Sequence, residues 1–358
     1  MSEPQQPSGI HGGSPGRRRS RQLLLFGGGT SALAAAAAAS VAASAALRRR
    51  MAARRSEGSG NAEVDRALGW GHLRRPDHFE IRTRDGAVLA VWDLPGSAPA
   101  APTVVLPHCW GCSHEIWLPV ARRLGDEGHR VVLYDQRGHG ASTRGTARLA
   151  VDTLGHDLAA VLEALDVRDA VLAGHSMGGM TIMSLATHRP QLFHGRARAT
   201  VLVATAATSV GSRSAQATQA SRNVVASSLT SRALRTRNGR VLVRGAFGVE
   251  PLREHLDLTR QLFAECDGAV RGDLLVSFTS MDLRWGIASM RVPTTVMVGS
   301  RDTLTLPSKA EQIAATIPGA KLVTLPDRGH MLPLEDPDAV ADEIRRAAVR
   351  EGLTAFSR

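Results

Sequence analysis

The stretch Asp169-Ala-Val-Leu-Ala-Gly-His-Ser-Met-Gly-Gly-Met180 decides the fold of this chain. Residues 170–173 form an apolar run with strand character, and residues 180–187 are typical of a helix. Ser176 lies between two glycines at the junction, where a sharp turn brings backbone segments close together. A glycine-rich turn with an incidental serine is the alternative interpretation. The strand before the turn and the helix after it favour Ser176 as an activated nucleophile.

Strand-like and helix-like segments alternate along the chain from about residue 76 onward. Two extended runs, residues 79–84 and 88–94, surround Asp85-Gly86 and predict a hairpin. A buried-type strand is expected at residues 103–106, and further strands are expected at 130–134, 200–204, 294–298 and 321–325. Helical spacing occurs at residues 115–124, 152–165 and 336–350. This alternation predicts an α/β fold with a mostly parallel sheet that helices cover on both faces.

The first 75 residues are expected to lie outside this globular part. Residues 1–22 are rich in Gly, Pro, Ser and Arg, which predicts a disordered basic leader. Residues 23–47 are uncharged, mostly alanine and flanked by arginines, and they are long enough to span a bilayer, which takes about 20 residues. A signal-anchor, an export signal cleaved near Ala43-Ser-Ala45 and a soluble alanine-rich helix all fit this pattern. Residues 48–75 are expected to form a linker.

The distribution of charge bears on the partners of this protein. The formal net charge is +11, and residues 1–60 alone contain nine arginines against two glutamates. The chain shows no basic stripe interleaved with aromatic residues, so we expect no nucleic-acid partner. The flanking arginines of segment 23–47 favour membrane association or export to the cell envelope, with a cytoplasmic location as the alternative. The sequence does not determine the oligomeric state.

Five motifs within residues 76–355 carry a resemblance to a known family. They are Leu106-Pro-His-Cys-Trp-Gly111, Tyr134-Asp-Gln-Arg-Gly-His-Gly-Ala-Ser142, Gly174-His-Ser-Met-Gly178, Gly299-Ser-Arg-Asp302 and Arg328-Gly-His330. With these motifs the chain resembles the α/β-hydrolases, in particular serine esterases and lipases, with relatives among cofactor-free haloperoxidases. The resemblance implies an α/β-hydrolase core over residues 76–207 and 292–355. It also implies that residues 208–291 form a helical cap above the Ser176 pocket.

Three residues far apart along the chain are candidates for a catalytic triad. A serine hydroxyl is a poor nucleophile and needs a base, which a carboxylate orients. On this fold the order is serine, acid, histidine. Asp302 follows the strand predicted at 294–298 and His330 follows the one at 321–325, so both are expected at the same sheet edge as Ser176. The rival acids are Asp327, on the histidine's own loop, and more weakly Asp135, Asp282 and Asp336.

Two backbone N–H groups are candidates for an oxyanion hole. One belongs to Met177, which directly follows the nucleophile. By the resemblance, the other comes from the third residue of a His-Gly-x loop, here Trp110. Cys109 occupies the place of the usual glycine, and it would strain the loop if that position required a positive φ. The assignment of Trp110 therefore depends on the backbone at Cys109.

The side chains of Cys109 and Cys112, with His108 and His114 beside them, are of the types that bind zinc. No second Cys or His pair occurs at ligand spacing, and the cluster coincides with the expected oxyanion loop. We therefore predict no metal and no organic cofactor. The chain has three cysteines, an odd number, and a free buried pair is expected in preference to a local disulfide.

The expected cap is basic. Residues 208–249 contain seven arginines and neither Asp nor Glu, and apolar residues are interspersed among them. A solvated basic face is one interpretation. A surface that contacts anionic lipid headgroups or receives acyl substrates is the other.

These features predict a serine hydrolase that cleaves a carboxylic ester or a related small acyl compound of apolar character through an acyl-enzyme. A cofactor-free perhydrolase of the haloperoxidase type and a carbon–carbon hydrolase are the alternatives among enzymes, because both would use the same three residues. A membrane-tethered ligand-binding protein that keeps the fold without catalysis is the alternative of another class. The complete set of Ser176, Asp302 and His330 argues against that last alternative.

Overall fold

The computed structural model describes residues 78–211 and 214–349, and at its centre is one eight-stranded sheet. Its strands are β1 Phe79–Arg82, β2 Val88–Leu94, β3 Val104–Pro107, β4 Val131–Tyr134, β5 Ala170–His175, β6 Ala197–Val203, β7 Thr294–Gly299 and β8 Lys321–Leu325. The order across the sheet is β1-β2-β4-β3-β5-β6-β7-β8. Strand β2 is antiparallel to β1 and β4, and the other pairs are parallel. The predicted hairpin and the predicted parallel strands are confirmed.

Helices fill the connections between the strands. In chain order they are α1 Leu118–Asp126, α2 Val151–Ala164, α3 Met177–His188, α4 Pro190–Arg196, α5 Ala215–Ala226, α6 Ser228–Arg235, α7 Arg240–Val243, α8 Arg253–Glu265, α9 Gly268–Thr279, α10 Arg284–Ile287, α11 Pro307–Thr316, α12 Leu332–Glu335 and α13 Pro337–Ala348. The helix predicted at 115–124 begins with a 3₁₀ turn, His114–Trp117. Helix α1 starts after it, where Pro119 suits the first helical turn.

The inner strands β3 to β7 are buried on both faces, as the sequence pattern predicts, whereas the edge strands β1 and β8 are largely exposed. Successive residues of β3 point to opposite faces, so Val105 packs into one apolar cluster while Val104 and Leu106 pack into the other. Helices α2 and α3 contribute to the first cluster, and α1 and α13 contribute to the second. Double coverage of this kind is typical of parallel sheets, and it leaves the strand ends as the places where a site can form.

Helices α5 to α10 lie between β6 and β7, in the segment for which the sequence predicts a cap. Helices α5 and α9 are joined by an ion pair between Arg222 and Asp273 at 2.9 Å. Helix α7 is joined to α8 by an ion pair between Arg240 and Asp257 at 2.6 Å. The helical character of this insertion is thus present, whereas the domain boundaries at residues 208 and 291 stay a prediction.

Three predicted segments lie outside the described residues: the leader 1–22, the alanine-rich segment 23–47 and the linker 48–75. The predicted end of the core at residue 355 also lies outside them. Within residues 78–211 and 214–349, none of the helices has both the length and the apolar character that a membrane span requires.

Candidate active site

The turn between β5 and α3 presents Ser176 at the carboxyl edge of the sheet. Its φ of 53° and ψ of −112° place it in a left-handed conformation that costs a non-glycine residue on the order of 1–3 kcal/mol. Two hydrogen bonds hold the turn. The Ser176 N–H donates to the Val203 carbonyl over 2.9 Å, and its own carbonyl accepts from Thr205 Oγ1 over 2.6 Å. The strand, the strained turn and the helix are those that the Gly-x-Ser-x-Gly pattern predicts.

Close backbone approach explains the glycines around Ser176. A Cβ on Gly178 would lie 2.0 Å from the carbonyl oxygen of Pro107, at the end of β3. A Cβ on Gly174 would lie 2.4 Å from the carbonyl oxygen of Gly178. Only hydrogen in place of a side chain lets helix α3 begin directly against the loop that follows β3. That contact sets the first turn of α3 against Pro107 and His108, the residues that lead into the loop of Trp110.

The loop after β8 turns back across the sheet edge and carries His330 toward the turn that bears Ser176, which we call the elbow. Strand β8 lies three positions from β5, which is roughly 14 Å at ordinary strand spacing. The loop packs on the end of β7 on its way. The Arg301 N–H donates to the Arg328 carbonyl over 2.9 Å, and a Cβ on Gly299 would lie 2.2 Å from the Gly329 carbonyl oxygen.

His175 joins this loop to the elbow. Its Nε2–H donates to the carbonyl oxygen of His330 over 2.8 Å, and the two ring centroids are 5.0 Å apart. His330 therefore lies beside the residue that precedes Ser176. The structure shows backbone hydrogen bonds for Ser176 and none between its Oγ and the His330 ring. Catalytic hydrogen bonds are often long without substrate and tighten when it binds, so the arrangement is compatible with a serine–histidine pair.

Asp302 and His330 form a buried pair. The His330 Nδ1–H donates to Asp302 Oδ2 over 2.9 Å. His330 is 4% exposed and Asp302 is 2% exposed. An ionised carboxylate only accepts hydrogen bonds, so the imidazole hydrogen is assigned to Nδ1 and Nε2 is left as an acceptor. This is the tautomer that can take a proton from a serine hydroxyl.

Hydrogen bonds keep Asp302 ionised. The backbone N–H groups of Leu304 and Thr305 each donate to Oδ1 over 2.9 Å, and the Thr305 hydroxyl donates to Oδ2 over 2.8 Å. Burial alone would raise the pKa of Asp302, but the nearby His330 and these donors outweigh it and hold the pKa below its ordinary value. Sequence reasoning overlooked Thr305, although a threonine shortly after an aspartate is typical of a turn closed by the aspartate side chain.

Glu335 organises the backbone around His330. Its carboxylate accepts from the N–H groups of Gly248, Gly329 and Met331 at 2.7, 3.0 and 3.0 Å. These bonds connect the segment after α7, the histidine loop and the start of α12. Sequence reasoning overlooked Glu335, because one of its partners lies 87 positions away and no local pattern marks it.

The rival acids have other partners. Asp327 is exposed and lies 3.5 Å from Arg301. The remaining three are paired elsewhere: Asp135 with His114, Asp282 with Arg284 and Asp336 with Arg328. Among the described residues, Asp302 is thus the carboxylate that contacts the His330 ring.

The backbone N–H groups of Met177 and Trp110 are both available. Met177 is the first residue of α3, so its N–H has no partner within the helix. The Trp110 N–H makes no hydrogen bond to the described residues. The positive φ in this loop falls on Gly111, at 72°, and Cys109 is not among the left-handed residues. The strain considered for Cys109 therefore does not arise, because the glycine that the loop needs is two positions further on.

Buried histidines fasten the loop after β3. The His108 Nδ1–H donates to the Cys109 carbonyl over 2.8 Å, and its Nε2 accepts from the Gln136 N–H over 2.9 Å. His139 Nε2 accepts from the Gly111 N–H over 3.0 Å. Burial lowers the pKa of His108 to about 3 and that of His139 to about 4. Both rings are therefore neutral at ordinary pH. In each ring one nitrogen carries the hydrogen and the other can accept a hydrogen bond.

Trp110 links the same loop to the helices between β6 and β7. Its Nε1–H donates to the Arg271 carbonyl over 3.1 Å. Its ring meets Phe263 edge-on at 5.0 Å and Phe278 edge-on at 6.0 Å. Helices α8 and α9 therefore contact the expected oxyanion loop directly.

The cysteines are free and buried: Cys109, Cys112 and Cys266. Hydrogen bonding to Cys109 and burial raise the pKa of Cys112 well above its ordinary value, so this thiol stays protonated. Across residues 78–211 and 214–349, no group of His, Cys, Asp and Glu side chains is arranged to hold a metal ion.

Comparison with known proteins identifies a family and a fold that this chain is similar to. The model of the "Alpha/beta hydrolase family" matches residues 104–343. The chain is 26% identical over 238 residues to 3-oxoadipate enol-lactonase 2 from Acinetobacter baylyi, across 66% of this chain and 85% of the relative. It is 36% identical over 121 residues to a non-heme chloroperoxidase from Kitasatospora aureofaciens, across 34% of this chain and 42% of the relative. An esterase structure from Exiguobacterium antarcticum, 21% identical, covers 75% of this chain and 98% of its own with a TM-score of 0.67, which shows a shared fold.

Proposed function

Because this chain belongs to the alpha/beta hydrolase family, we propose that it is a serine hydrolase that cleaves a carboxylic ester or a related acyl compound. The observation that carries the proposal is the hydrogen bond from His330 Nδ1 to Asp302 Oδ2, on a loop fastened to the elbow that bears Ser176. The enol-lactonase relative supports the choice of an ester, since a lactone is a cyclic ester.

In the first half of the proposed cycle, Ser176 Oγ attacks the acyl carbon while His330 Nε2 takes its proton. The carbonyl electron pair moves onto oxygen, and the N–H groups of Met177 and Trp110 bind the resulting oxyanion. His330 then returns the proton to the leaving oxygen, whose bond to the acyl carbon breaks. Asp302 holds the imidazole in place and stabilises its positive charge in between.

In the second half, water releases the acyl group. His330 removes a proton from the water as its oxygen attacks the acyl-serine, and a second tetrahedral oxyanion forms. The bond to Ser176 Oγ then breaks, and His330 gives the proton back to the serine. The products are the free acid and the resting enzyme.

A perhydrolase activity is the second candidate, and the similarity to the non-heme chloroperoxidase favours it. Hydrogen peroxide would then attack the acyl-serine in place of water, and a peracid would leave. Comparison of p-nitrophenyl ester turnover with peracid formation from the same acyl donor separates the two. Peracid formation that exceeds hydrolysis would replace the esterase assignment with the perhydrolase one.

Labelling with a fluorophosphonate probe tests the nucleophile. The wild-type chain should react, and Ser176→Ala should not. Ser184→Ala is the matched control, because Ser184 lies further along the same helix and its buried hydroxyl makes no hydrogen bond. If the wild type stays unlabelled by probes of graded size, a non-catalytic binding protein replaces the hydrolase. Labelling of Ser176→Ala would place the nucleophile elsewhere.

Membrane attachment through residues 23–47 is a separate part of the proposal, supported by the length of the segment and its flanking arginines. Deletion of residues 1–56 should move the protein from the membrane fraction to the soluble fraction of the producing cells. An unchanged distribution would favour the soluble-helix interpretation of this segment.

A further inference from the structure

Part of the insertion between β6 and β7 exposes large apolar side chains together with arginines. Leu229 is 71% exposed, Val241 is 77% exposed and Leu242 is 58% exposed. Single exposed aliphatic residues are ordinary, but several within fourteen residues, interleaved with cations, are a feature of interaction sites. We call this set the 229–242 face: Leu229, Arg232, Arg235, Arg237, Val241 and Leu242.

These side chains point away from the body of the protein because the backbone beneath them is anchored to α8. Helix α6 is fixed by the Arg260 guanidinium, which donates to the Leu234 carbonyl over 3.1 Å. Leu234 itself is buried at 2% exposure. At 100° per residue, Leu229 and Arg232 lie about 140° and 160° around the helix from Leu234, on the opposite side.

Helix α7 repeats the arrangement. Arg240 holds it to α8 through two hydrogen bonds to Asp257, at 2.8 and 2.6 Å. Val243 is its buried residue, and Val241 lies about 160° around the helix from it. The turn Arg237–Gly239 joins α6 to α7, so the two helices follow each other directly along the chain.

The charge of the face is unbalanced. Arg232, Arg235 and Arg237 form no ion pair with any residue that the structure describes. The sequence from 208 to 249 contains neither Asp nor Glu, and Asp257 on α8 is already bonded to Arg240 and Arg260. Unpaired guanidinium groups beside aliphatic side chains suit a surface that offers anionic headgroups above a hydrocarbon layer.

The face adjoins the loops of the proposed active site. The Gly245 carbonyl accepts from Thr303 Oγ1 over 2.9 Å, next to Asp302. The Ala246 carbonyl accepts from the His330 N–H over 2.9 Å. Leu304, on the loop of the acid two residues after Asp302, is another large apolar side chain that is 49% exposed.

We propose that the 229–242 face docks on an anionic phospholipid surface, with the aliphatic side chains inserted among the lipids and the arginines at the headgroups. Docking of this kind would place the rim of the site against the lipid, from which an apolar acyl substrate could enter. Delivery of substrate in this way rests on the proposed function, whereas binding to the lipid does not.

Binding to vesicles tests the charge component with the full chain. Binding to vesicles of equal parts phosphatidylglycerol and phosphatidylcholine should weaken at low salt when Arg232, Arg235 and Arg237 are all replaced by Gln, since each arginine near an anionic surface contributes about 1 kcal/mol. The matched control replaces the exposed Arg82, Arg84 and Arg291 by Gln, which changes the net charge equally and should leave binding near the wild-type value. Equal losses in the two triple variants would overturn the proposal, because overall charge would then explain them.

A local probe tests insertion independently of residues 1–56. Val241→Cys is labelled with an environment-sensitive fluorophore, which reacts there because the native cysteines are buried. Its emission should shift to the blue when phosphatidylglycerol vesicles are added, and the label on Leu322→Cys, an exposed position on the edge strand β8, should not respond. Unchanged emission at position 241, or an equal response to pure phosphatidylcholine, would reject docking on anionic lipid. Fluorophosphonate labelling in the absence of vesicles reports on Ser176 alone, so the two proposals fail separately.

Discussion

His175 donates its Nε2 hydrogen to the backbone carbonyl oxygen of His330 over 2.8 Å. His175 is fully buried, and its Nδ1 has no hydrogen-bond partner in the described structure. Burial lowers its pKa to about 3, and the nearby His330 acts in the same direction. The ring is therefore neutral at ordinary pH, and its hydrogen bond is the one to the carbonyl oxygen of His330. We infer that His175 is a positioning residue for the proposed base and not a second base.

Replacement of His175 should therefore act on turnover. We expect His175→Phe to lower kcat for a p-nitrophenyl ester about tenfold with KM little changed, because it removes one hydrogen bond to the backbone of His330. His175→Asn keeps an N–H donor and should recover part of the loss. Steady-state kinetics, with urea unfolding to confirm the fold, give the answer. A raised KM at unchanged kcat would contradict the positioning role.

The choice of Asp302 as the acid gives a second prediction. Asp302→Asn replaces one carboxylate oxygen by an NH₂ group, so His330 Nδ1 loses its ionised acceptor and the favoured tautomer changes. We expect kcat to fall on the order of 10⁴-fold. Asp327→Asn is the control, since Asp327 is exposed and contacts Arg301. A larger loss in the control than in Asp302→Asn would transfer the role to the rival acid.

The buried neutral histidines predict sensitivity to acid. The pKa values of His108, His139 and His175 lie at about 3, 4 and 3, below the ordinary value of 6.5. Between pH 6.5 and about 4 the unfolded chain binds protons that the folded chain does not, so the free energy of unfolding falls as the pH falls. Three such groups give a slope that approaches about 4 kcal/mol per pH unit near pH 5.

Urea unfolding at a series of pH values measures that slope. His108→Gln offers both an acceptor and a donor at the same place without titrating in this range, so it should remove about a third of the slope. His156→Gln is the matched control at an exposed position, and His108→Gln should reduce the slope more than it does. If the wild-type free energy of unfolding does not change between pH 7 and pH 5, these rings bind protons in the folded protein as readily as in the unfolded chain, and the prediction is wrong.

The parts of this fold that were predictable depend on local pattern and chain order. The strand, turn and helix around Ser176 follow from neighbouring residues, and the meeting of Asp302 with His330 follows from the rule that parallel strands end at one edge. Contacts between distant segments were not predictable, as the bond from Gly248 to Glu335 shows. The concern about Cys109 arose because a motif gives the position of a glycine but not the φ of each residue around it.

The contact between Gly178 and Pro107 gives the last prediction. A Cβ at position 178 would lie 2.0 Å from a backbone oxygen, which cannot rotate away, so Gly178→Ala must separate α3 from the loop after β3. We expect kcat to fall on the order of 100-fold, since the oxyanion hole proposed from the N–H groups of Met177 and Trp110 would be distorted. Gly195→Ala is the control, because a Cβ there meets nothing within 4 Å and alanine favours a helix by roughly 0.5–1 kcal/mol. Ester kinetics and urea unfolding on both variants decide the matter: full turnover by Gly178→Ala would show that the two loops need not touch for an oxyanion hole to form.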